Sequence, residues 1–420
     1  MSVSSIVGGQ WGDEGKGRIV DYLAQNADLV IRFQGGDNAG HTVVNEMGKF
    51  ALHIIPSGIF NEETLSIVGA GTVVNFDTMK QELEDIPKEL HKNLLIDYRA
   101  HLIFPFHCLL DGAEEANKAG NWKVGTTKRG IGPCYSDKAS RCGIRAVDIL
   151  DEERLKTRLE MLLPRKNRDL EFYNLKTFTV EECMEICARW KKEFGSQIRD
   201  TLPIIREAVE EKRNILMEGQ LGIMRDLDWG IYPYTTSSNP TSGGACNTGG
   251  ISPRSLKHII GVFKAYSTSV GGGPFCSELF DDDGKKLRKI GNEFGATTGR
   301  PRRCGWFDAV AADYSNYLNG FTEIAITKLD ILDNFDVIKV CTGYKIDNEI
   351  YHYLPETSLQ ERAKPLYEEF PGWKCDTTSV RKWDDLPTNA KIYIKSLGEF
   401  IGAKIKYVSV GPERDQIIVL

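Results

Sequence analysis

The segment Gly8-Gly9-Gln10-Trp11-Gly12-Asp13-Glu14-Gly15-Lys16-Gly17-Arg18 constrains the fold more than any other stretch of the chain. It follows a short apolar run ending at Ile6-Val7 and precedes the amphipathic pattern of Ile19, Val20 and Leu23. It therefore reads as a strand, a glycine-rich turn and the first turn of a helix. Such a turn is a phosphate cradle. Glycines let backbone N–H groups approach an anion, the helix N-terminus adds a partial positive charge, and Lys16 adds a full one. The spacing is not that of a Walker A loop: there is one residue too many between Gly9 and Gly15, and Gly17 stands where a metal-binding Ser or Thr belongs. Gly17 offers magnesium no hydroxyl, which leaves Asp13 as the natural metal ligand and a candidate base. A plain turn with solvent-facing charges accounts poorly for so many glycines around an acid and a lysine.

A chain of 420 residues with 41% hydrophobic content makes one large or two ordinary domains with ample core. The formal net charge of -6 excludes a general nucleic-acid or polybasic membrane binder, so anionic ligands must be met by local clusters of Arg and Lys. The ten cysteines include no C-x-x-C pair, and Cys183 and Cys187, on one helical face, read as reduced core thiols rather than half a metal site. No apolar stretch approaches the roughly twenty residues a bilayer needs, and no signal-peptide h-region opens the chain, so a cytoplasmic location is expected. No repeat or low-complexity segment is present.

After the first helix, Asp28 to Phe33 reads as a buried strand, followed at once by Gly35-Gly36-Asp37-Asn38-Ala39-Gly40-His41-Thr42. In an open α/β sheet, ligands gather outside the carboxyl ends of the strands, so this loop and the first should share a crevice where His41 can meet Asp13. His53, inside an apolar run, reads as structural. Further strands (Leu65 to Ala70, Asn93 to Asp97) alternate with helical patterns, one opened by Asn75 as an N-cap. A long polar, glycine-rich loop is expected from Asn121 to Arg141. Residues 151 to 212 carry charged, helix-period sequence and read as a helical excursion without a linker on either side. The sheet resumes at Asn214 to Met217, followed by Glu218-Gly219-Gln220-Leu221-Gly222, and a long functional loop is expected from Tyr232 to Gly250. The expected fold is thus α/β, with a large, mainly parallel central sheet flanked by helices and long active-site loops at the strand carboxyl ends.

Two later segments extend the site. Gly295-Ala296-Thr297-Thr298-Gly299-Arg300-Pro301-Arg302-Arg303 places three arginines behind two hydroxyls. It reads as a carboxylate- and phosphate-binding loop, since Arg offers planar bidentate donors and Thr short hydroxyl donors. Ile324 to Ile326 is a strand ending in Thr327-Lys328-Leu329-Asp330, the form of the guanine-reading tetrapeptide of GTPases with Thr for Asn. A strand at Ile405 to Val408 ends in Ser409-Val410-Gly411-Pro412, a turn able to close on the same base.

Gln10 to Gly17, Gly130-Ile131-Gly132-Pro133 with Tyr135, Lys138 and Arg141, the Thr-Thr-Gly-Arg-Pro-Arg-Arg loop and the Lys-Leu-Asp strand end together resemble the adenylosuccinate synthetases, in order and nearly end to end. The resemblance implies a homodimeric, magnesium-dependent ligase that uses GTP to join IMP and L-aspartate in purine nucleotide biosynthesis. It implies catalytic roles for Asp13, Lys16 and His41, and a metal held by Asp13 and the Gly40 carbonyl. GTP would be held by Gly12 to Arg18, Gly40 to Thr42, Arg302, Lys328 to Asp330 and Ser409 to Gly411. IMP would be held by Asp13 to Lys16, Asn38 to His41, Thr127, Gln220, Leu221, Thr236 and Arg300, with Arg141 supplied by the neighbouring subunit. L-aspartate would be held by Ala296, Thr297, Thr298, Gly299, Arg300, Pro301 and Arg302. The chain departs from the family pattern twice. Leu221 replaces a substrate-contacting glutamine, with Gln220 one residue away, and Thr268-Ser269-Val270-Gly271 stands where Thr-Arg-Val-Gly is usual.

Two other classes compete. A regulatory GTPase lacks any use for the arginine-rich loop and is expected to carry a Walker A loop, which this chain does not have. A degenerate nucleotide-binding paralogue fits Leu221 and Ser269, but not the retention of Asp13, Lys16 and His41.

Overall fold

The structure, a computed structural model, describes residues 3–38, 40–119, 123–295 and 299–420. Its centre is a sheet of ten strands: β1 (Val3–Gly8), β2 (Leu29–Arg32), β3 (Leu65–Val68), β4 (Leu94–Asp97), β5 (Ile198–Arg199), β6 (Ile215–Gly222), β7 (Leu256–Lys264), β10 (Glu323–Thr327), β11 (Ile405–Ser409) and β12 (Ile417–Val419). A separate short pair, β8 (Ser267–Ser269) and β9 (Arg303–Gly305), is antiparallel. Spatial order in the large sheet is β12-β11-β10-β7-β1-β6-β2-β3-β4-β5, and only β12 runs antiparallel to its neighbour. The strands read as near-continuous apolar runs because both faces are covered; Ile6, Val7, Ile31, Ile67, Ile215, Val262 and Ile326 are all inaccessible.

This order decides where a ligand sits. All the parallel strands end on one edge, so the turn after β1 lies beside the ends of β6 and β2 on one side and of β7, β10 and β11 on the other. At about 4.8 Å per strand, the ends of β10 and β11 lie ~10 and ~14 Å from the phosphate-type turn.

Helices α1 (Lys16–Ala24), α2 (Phe76–Glu84), α3 (Pro105–Asn117), α4 (Ile131–Ala139), α5 (Glu152–Phe172), α6 (Val180–Phe194) and α7 (Leu202–Glu210) cover the first half of the sheet. Asn75 caps α2 as its sequence implied, accepting from the backbone N–H groups of Asp77 and Thr78. Among the described residues no helix is long and apolar enough to cross a membrane.

The sequence reading needs three corrections. The expected loop from Asn121 to Arg141 contains α4, which starts from a left-handed Gly130 and whose Cys134 and Asp137 are buried. The run before Gly250 contains a helix at Ser242–Gly249, where small residues allow close packing: a Cβ on Gly249 would lie 1.9 Å from the Met217 side chain. Strand β6 continues through Gly222 instead of stopping at Met217. Its polar residues Glu218 and Gln220 are buried and satisfied by hydrogen bonds, so hydropathy alone misses them.

The helical excursion is not a bystander. It contains β5, the edge strand of the sheet, and shares one core with it: Leu155, Leu159, Cys183 and Trp190 pack with Val68, Leu94 and Ile96. Phe76 joins the two parts, stacking on Phe194 at 4.7 Å and meeting Trp190 edge-on at 5.6 Å. Phe76→Ala is therefore expected to cost ~3–5 kcal/mol and to move a single urea unfolding transition to lower denaturant. A new, separate transition in that variant would mean that the excursion is an independent unit.

Candidate active site

The turn after β1 is held by a buried carboxylate. Gly12, Asp13 and Gly15 adopt positive φ (102°, 59° and 89°), and Glu14 turns inward beneath them. Glu14 Oε1 accepts from Gly12 N (2.8 Å) and Gln10 N (3.1 Å), while Oε2 pairs with Lys16 Nζ at 2.6 Å. A side chain on Gly8 or Gly222 would run into this carboxylate, with its Cβ 2.5 or 2.4 Å from an oxygen. Glu14 thus shapes the loop from inside. Lys16, at the first position of α1, is drawn into the same buried pair.

The absence of a hydroxyl at position 17 has a steric cause. A Cβ on Gly17 would lie 2.8 Å from His41 Cβ and 3.4 Å from Ser57 Oγ, so glycine is what allows the imidazole to rest on the first turn of α1. His41 Nδ1 lies 2.7 Å from Glu218 Oε1, and Glu218 also accepts from the Ser57 hydroxyl and backbone N–H, both at 2.8 Å. Burial pushes the Glu218 carboxyl up, but these hydrogen bonds and the Arg32 guanidinium outweigh it and keep it ionised. Burial lowers His41, so the ring is neutral, with Nδ1–H donating to Glu218 and Nε2 the nitrogen that this carboxylate does not hold. Arg32, opposite Glu218 in the β6–β2 pairing, is fully buried and its guanidinium has no hydrogen-bond partner among the described residues.

Asp13 does not meet His41. Its Oδ2 accepts from Arg302 Nε at 2.8 Å, and Arg302 Nη1 reaches Glu293 Oε2 at 2.7 Å. Glu293 is a hub. Both of its oxygens lie 2.9 Å from Lys264 Nζ, and Oε1 also receives Lys328 Nζ (2.9 Å) and the Tyr266 hydroxyl. Burial opposes ionisation of Glu293, yet the three cations hold it far below the usual carboxylate range. Lys264, fully enclosed, is lowered by burial to about 8.

The guanine-type strand end is tied to the phosphate loop. Thr327 Oγ1 donates to the Glu14 carbonyl at 2.6 Å, which is what the threonine in the tetrapeptide does here. Lys328 pairs with Glu293 and the Gly291 carbonyl (2.7 Å). Asp330 is partly buried and has no ion pair among the described residues; burial raises its carboxyl to about 6, against the pull of Lys328 and Arg18. Arg18 crosses from α1 to donate to the Glu413 carbonyl, and burial lowers it to about 10. Because β11 neighbours β10, Ser409, Val410 and Gly411 emerge beside Asp330.

On the other side of β1 the first half of the loop set converges. Gln220 is buried, with Oε1 accepting from Gly36 N (3.0 Å) and Nε2 donating to the Gly36 carbonyl (2.9 Å). Its amide braces the Gly35–Asp37 turn, with both of its polar atoms on the backbone of Gly36. Leu221, at a positive φ of 62°, lies against Gly12 next to Asp13. Asp37 accepts from the Thr78 hydroxyl (2.8 Å), and the Asn38 side-chain oxygen is buried without a partner. The Gly125–Gly130 loop, which carries Thr127, is pinned to α3 by Asp111 and Glu115. Thr236 N donates to the Arg225 carbonyl at 2.8 Å. Arg300 is exposed beside Gly125, and Arg141 is exposed past the end of α4 at a positive φ of 62°. Ala39, Ala296, Thr297 and Thr298 lie outside the described residues. Among the described residues no three His, Cys, Asp or Glu side chains cluster as a metal cage.

Sequence reasoning missed Glu218, Glu293, Lys264 and Tyr266. They are interior polar residues whose role is to hold others, and no ligand motif marks them.

A phosphate loop, a base-reading strand end and an arginine loop on one sheet edge define a nucleotide-dependent enzyme with a second anionic substrate. Residues 5–418 match the adenylosuccinate synthetase family. The adenylosuccinate synthetase of Dehalococcoides mccartyi is 49% identical over the whole of both chains, and adenylosuccinate synthetase 1 of Methanosarcina acetivorans is 46% identical over the same extent. The solved structure of fully ligated Plasmodium falciparum adenylosuccinate synthetase is 38% identical and superimposes over the full length of both chains with a TM-score of 0.95. The chain belongs to the adenylosuccinate synthetase family: it is a C–N bond-forming ligase of purine biosynthesis that uses GTP, IMP and L-aspartate.

Gly17→Thr restores a Walker-type hydroxyl but drives a Cβ into His41. A fall in kcat of about 10²-fold or more is expected from displacing a positioned imidazole, with circular dichroism unchanged. Full turnover in the variant would show that the imidazole does not depend on this contact.

Proposed function

We propose that Asp13 removes the N1 proton of IMP, so that O6 attacks the γ-phosphorus of GTP, GDP departs, and a 6-phosphoryl intermediate forms. The amine of L-aspartate then displaces phosphate from C6 to give adenylosuccinate. His41, which takes up a proton on Nε2 when the anionic phosphates bind, then donates a hydrogen bond to the transferring phosphoryl group and the β–γ bridge, held in place by Glu218; Lys16 and the N–H groups of Gly12 to Gly17 stabilise the phosphates. The observation that carries this reading is the ion pair of Asp13 with Arg302 at 2.8 Å, which brings the base next to an arginine of the loop assigned to L-aspartate.

The donor set at Asp13 fits magnesium. This ion is bound through one or two protein oxygens plus substrate phosphates, and in this reading Asp13 and the Gly40 carbonyl would hold it. When bound, the ion would neutralise the phosphate oxygens. When L-aspartate arrives, its carboxylates compete for Arg302 and release Asp13 for its work on IMP. In this reading Asn38, Thr127, Thr236 and Arg300 hold IMP, the 296–302 loop holds L-aspartate, and Lys328 to Asp330 with Ser409 to Gly411 hold guanine. The whole chain acts as one ligase domain, and two copies act together. Arg141, exposed beyond α4, reaches the IMP phosphate of its partner.

Base choice is expected to rest on hydrogen-bond polarity. An ionised Asp330 only accepts, matching guanine's N1–H and 2-amino donors. Because burial raises Asp330 to about 6, protonation as pH falls through that value converts an acceptor into a donor. The KM for GTP is expected to rise below about pH 6. Asp330→Asn should remove that pH step, lose GTP preference by roughly 10- to 100-fold and gain use of XTP, with turnover at saturation largely kept. An unchanged GTP preference in the folded variant would take the base-reading role away from this strand end.

Subunit sharing has its own test. Mixing Arg141→Leu with Asp13→Asn, each impaired alone, should create hybrid dimers with one intact site and recover phosphate release that needs GTP, IMP and L-aspartate together. Activity no higher than that of the parents, after subunit exchange is verified, would mean that Arg141 serves its own subunit.

A further inference from the structure

Arg225 lies at the end of the turn that follows β6 and is buried, yet among the described residues no carboxylate pairs with it. Its hydrogen bonds go elsewhere. Nη1 donates to the carbonyls of Tyr234 (2.5 Å) and Gly272 (3.1 Å), and Nη2 donates to Ser269 Oγ (2.8 Å) and the Val270 carbonyl (2.5 Å). Arg303, whose charge repels it, takes the alternate carbonyls Gly271 and Gly273 of the same loop. Four consecutive carbonyls, Val270 to Gly273, thus end on two guanidiniums. Burial lowers Arg225 to about 10, so it is still a cation at neutral pH.

This clamp joins three segments. The Arg225 carbonyl accepts from Thr236 N, its side chain grips residues 269–272, and Gly272 N donates to the Val124 carbonyl at 3.2 Å, next to the loop that carries Thr127. Gly125 packs on Gly271, and its side-chain position lies 3.9 Å from Arg300 Nη1. The guanidinium also touches Ser269, where the family pattern carries an arginine. A cation thus reaches the side chain at position 269 from the turn that follows β6.

We propose that Arg225 is a positioning residue of the IMP site, a guanidinium relocated from position 269 that sets Thr236, the Val270–Gly273 loop and the Thr127 loop in register. This rests on the assignment of Thr127, Thr236 and Arg300 to IMP. It predicts an effect on IMP in particular, because the Lys328 strand end is held by Glu293 and not by Arg225.

The test is steady-state kinetics of four variants in the full-length enzyme. Arg225→Leu is expected to raise the KM for IMP roughly 10- to 100-fold, the scale of losing charge-assisted hydrogen bonds, with the KM for GTP and kcat near those of the parent. Arg225→Lys should recover part of the loss. Arg225→Leu/Ser269→Arg should recover most of it, since the guanidinium returns to the same place from the other side. Thr236→Val tests the underlying assignment. If it leaves the KM for IMP unchanged, that assignment falls and takes this proposal with it. If Thr236→Val raises that KM but Arg225→Leu does not, or Arg225→Leu raises all three substrate KM values alike, the positioning role is overturned. If Arg225→Leu does not fold, the double variant decides: near-parental KM for IMP supports relocation, and a misfolded or IMP-deficient double variant overturns it.

Discussion

Three cations converge on the carboxylate of Glu293, and the rest of the site depends on that convergence. A pocket for a triphosphate, a monophosphate and a dicarboxylate must hold Arg and Lys side chains close together, where they repel one another. A buried anion in their midst relieves the repulsion, and they in turn keep it ionised against its burial. Removing one partner of such a buried set typically costs ~3–5 kcal/mol because a charge is left uncompensated. The set also has direction. Asp13, Arg302, Glu293 and Lys328 form an unbroken chain of ion pairs from the phosphate loop to the base-reading strand end, and the Thr327–Glu14 hydrogen bond closes a second link between the same two places. Glu14 under Lys16 repeats the device on a smaller scale. The phosphate-type turn after β1 and the strand end at Lys328–Asp330 are therefore parts of a single polar network and not separate modules.

Much of this was legible in the sequence, and what was not shares one cause. The core strands were readable because a parallel sheet covered on both faces selects uninterrupted apolar runs, as at Leu29–Arg32 and Glu323–Thr327. The ligand-facing loops were readable because phosphate and carboxylate recognition needs glycine, hydroxyl and arginine in short stretches. The supporting residues were not. Glu218, Glu293 and Lys264 sit in segments that look like ordinary strand or turn sequence, and their partners lie far along the chain: His41 is 177 residues from Glu218 and Lys264 is 29 from Glu293. Short helices failed for a related reason. The Ser242–Gly249 segment is poor in helix-favouring side chains, but its small residues permit contact with Met217 that larger ones would forbid, so tertiary packing overrides propensity. The α4 helix was hidden by the glycines of the loop that leads into it.

The departures from pattern teach the complementary lesson. Position 17 lacks the hydroxyl of a Walker loop because an imidazole occupies the space, so the lost group and the gained one are a single packing decision. Position 269 lacks an arginine, but the Ser269 hydroxyl accepts from one that arrives from position 225. Gln220 and Leu221 are a third case, and here the outcome differs. The glutamine amide has become a brace for the backbone of Gly36, and the side chain beside Asp13 is now aliphatic. A substitution that moves a charge keeps the electrostatics of the site, because a guanidinium acts on its surroundings from wherever its stem is rooted. A substitution that moves an amide into the core does not, because a hydrogen bond reaches only its immediate partner. By that criterion the Ser269 change is the one met by a nearby guanidinium, and the Leu221 change is the one that leaves an aliphatic side chain against Gly12, next to Asp13.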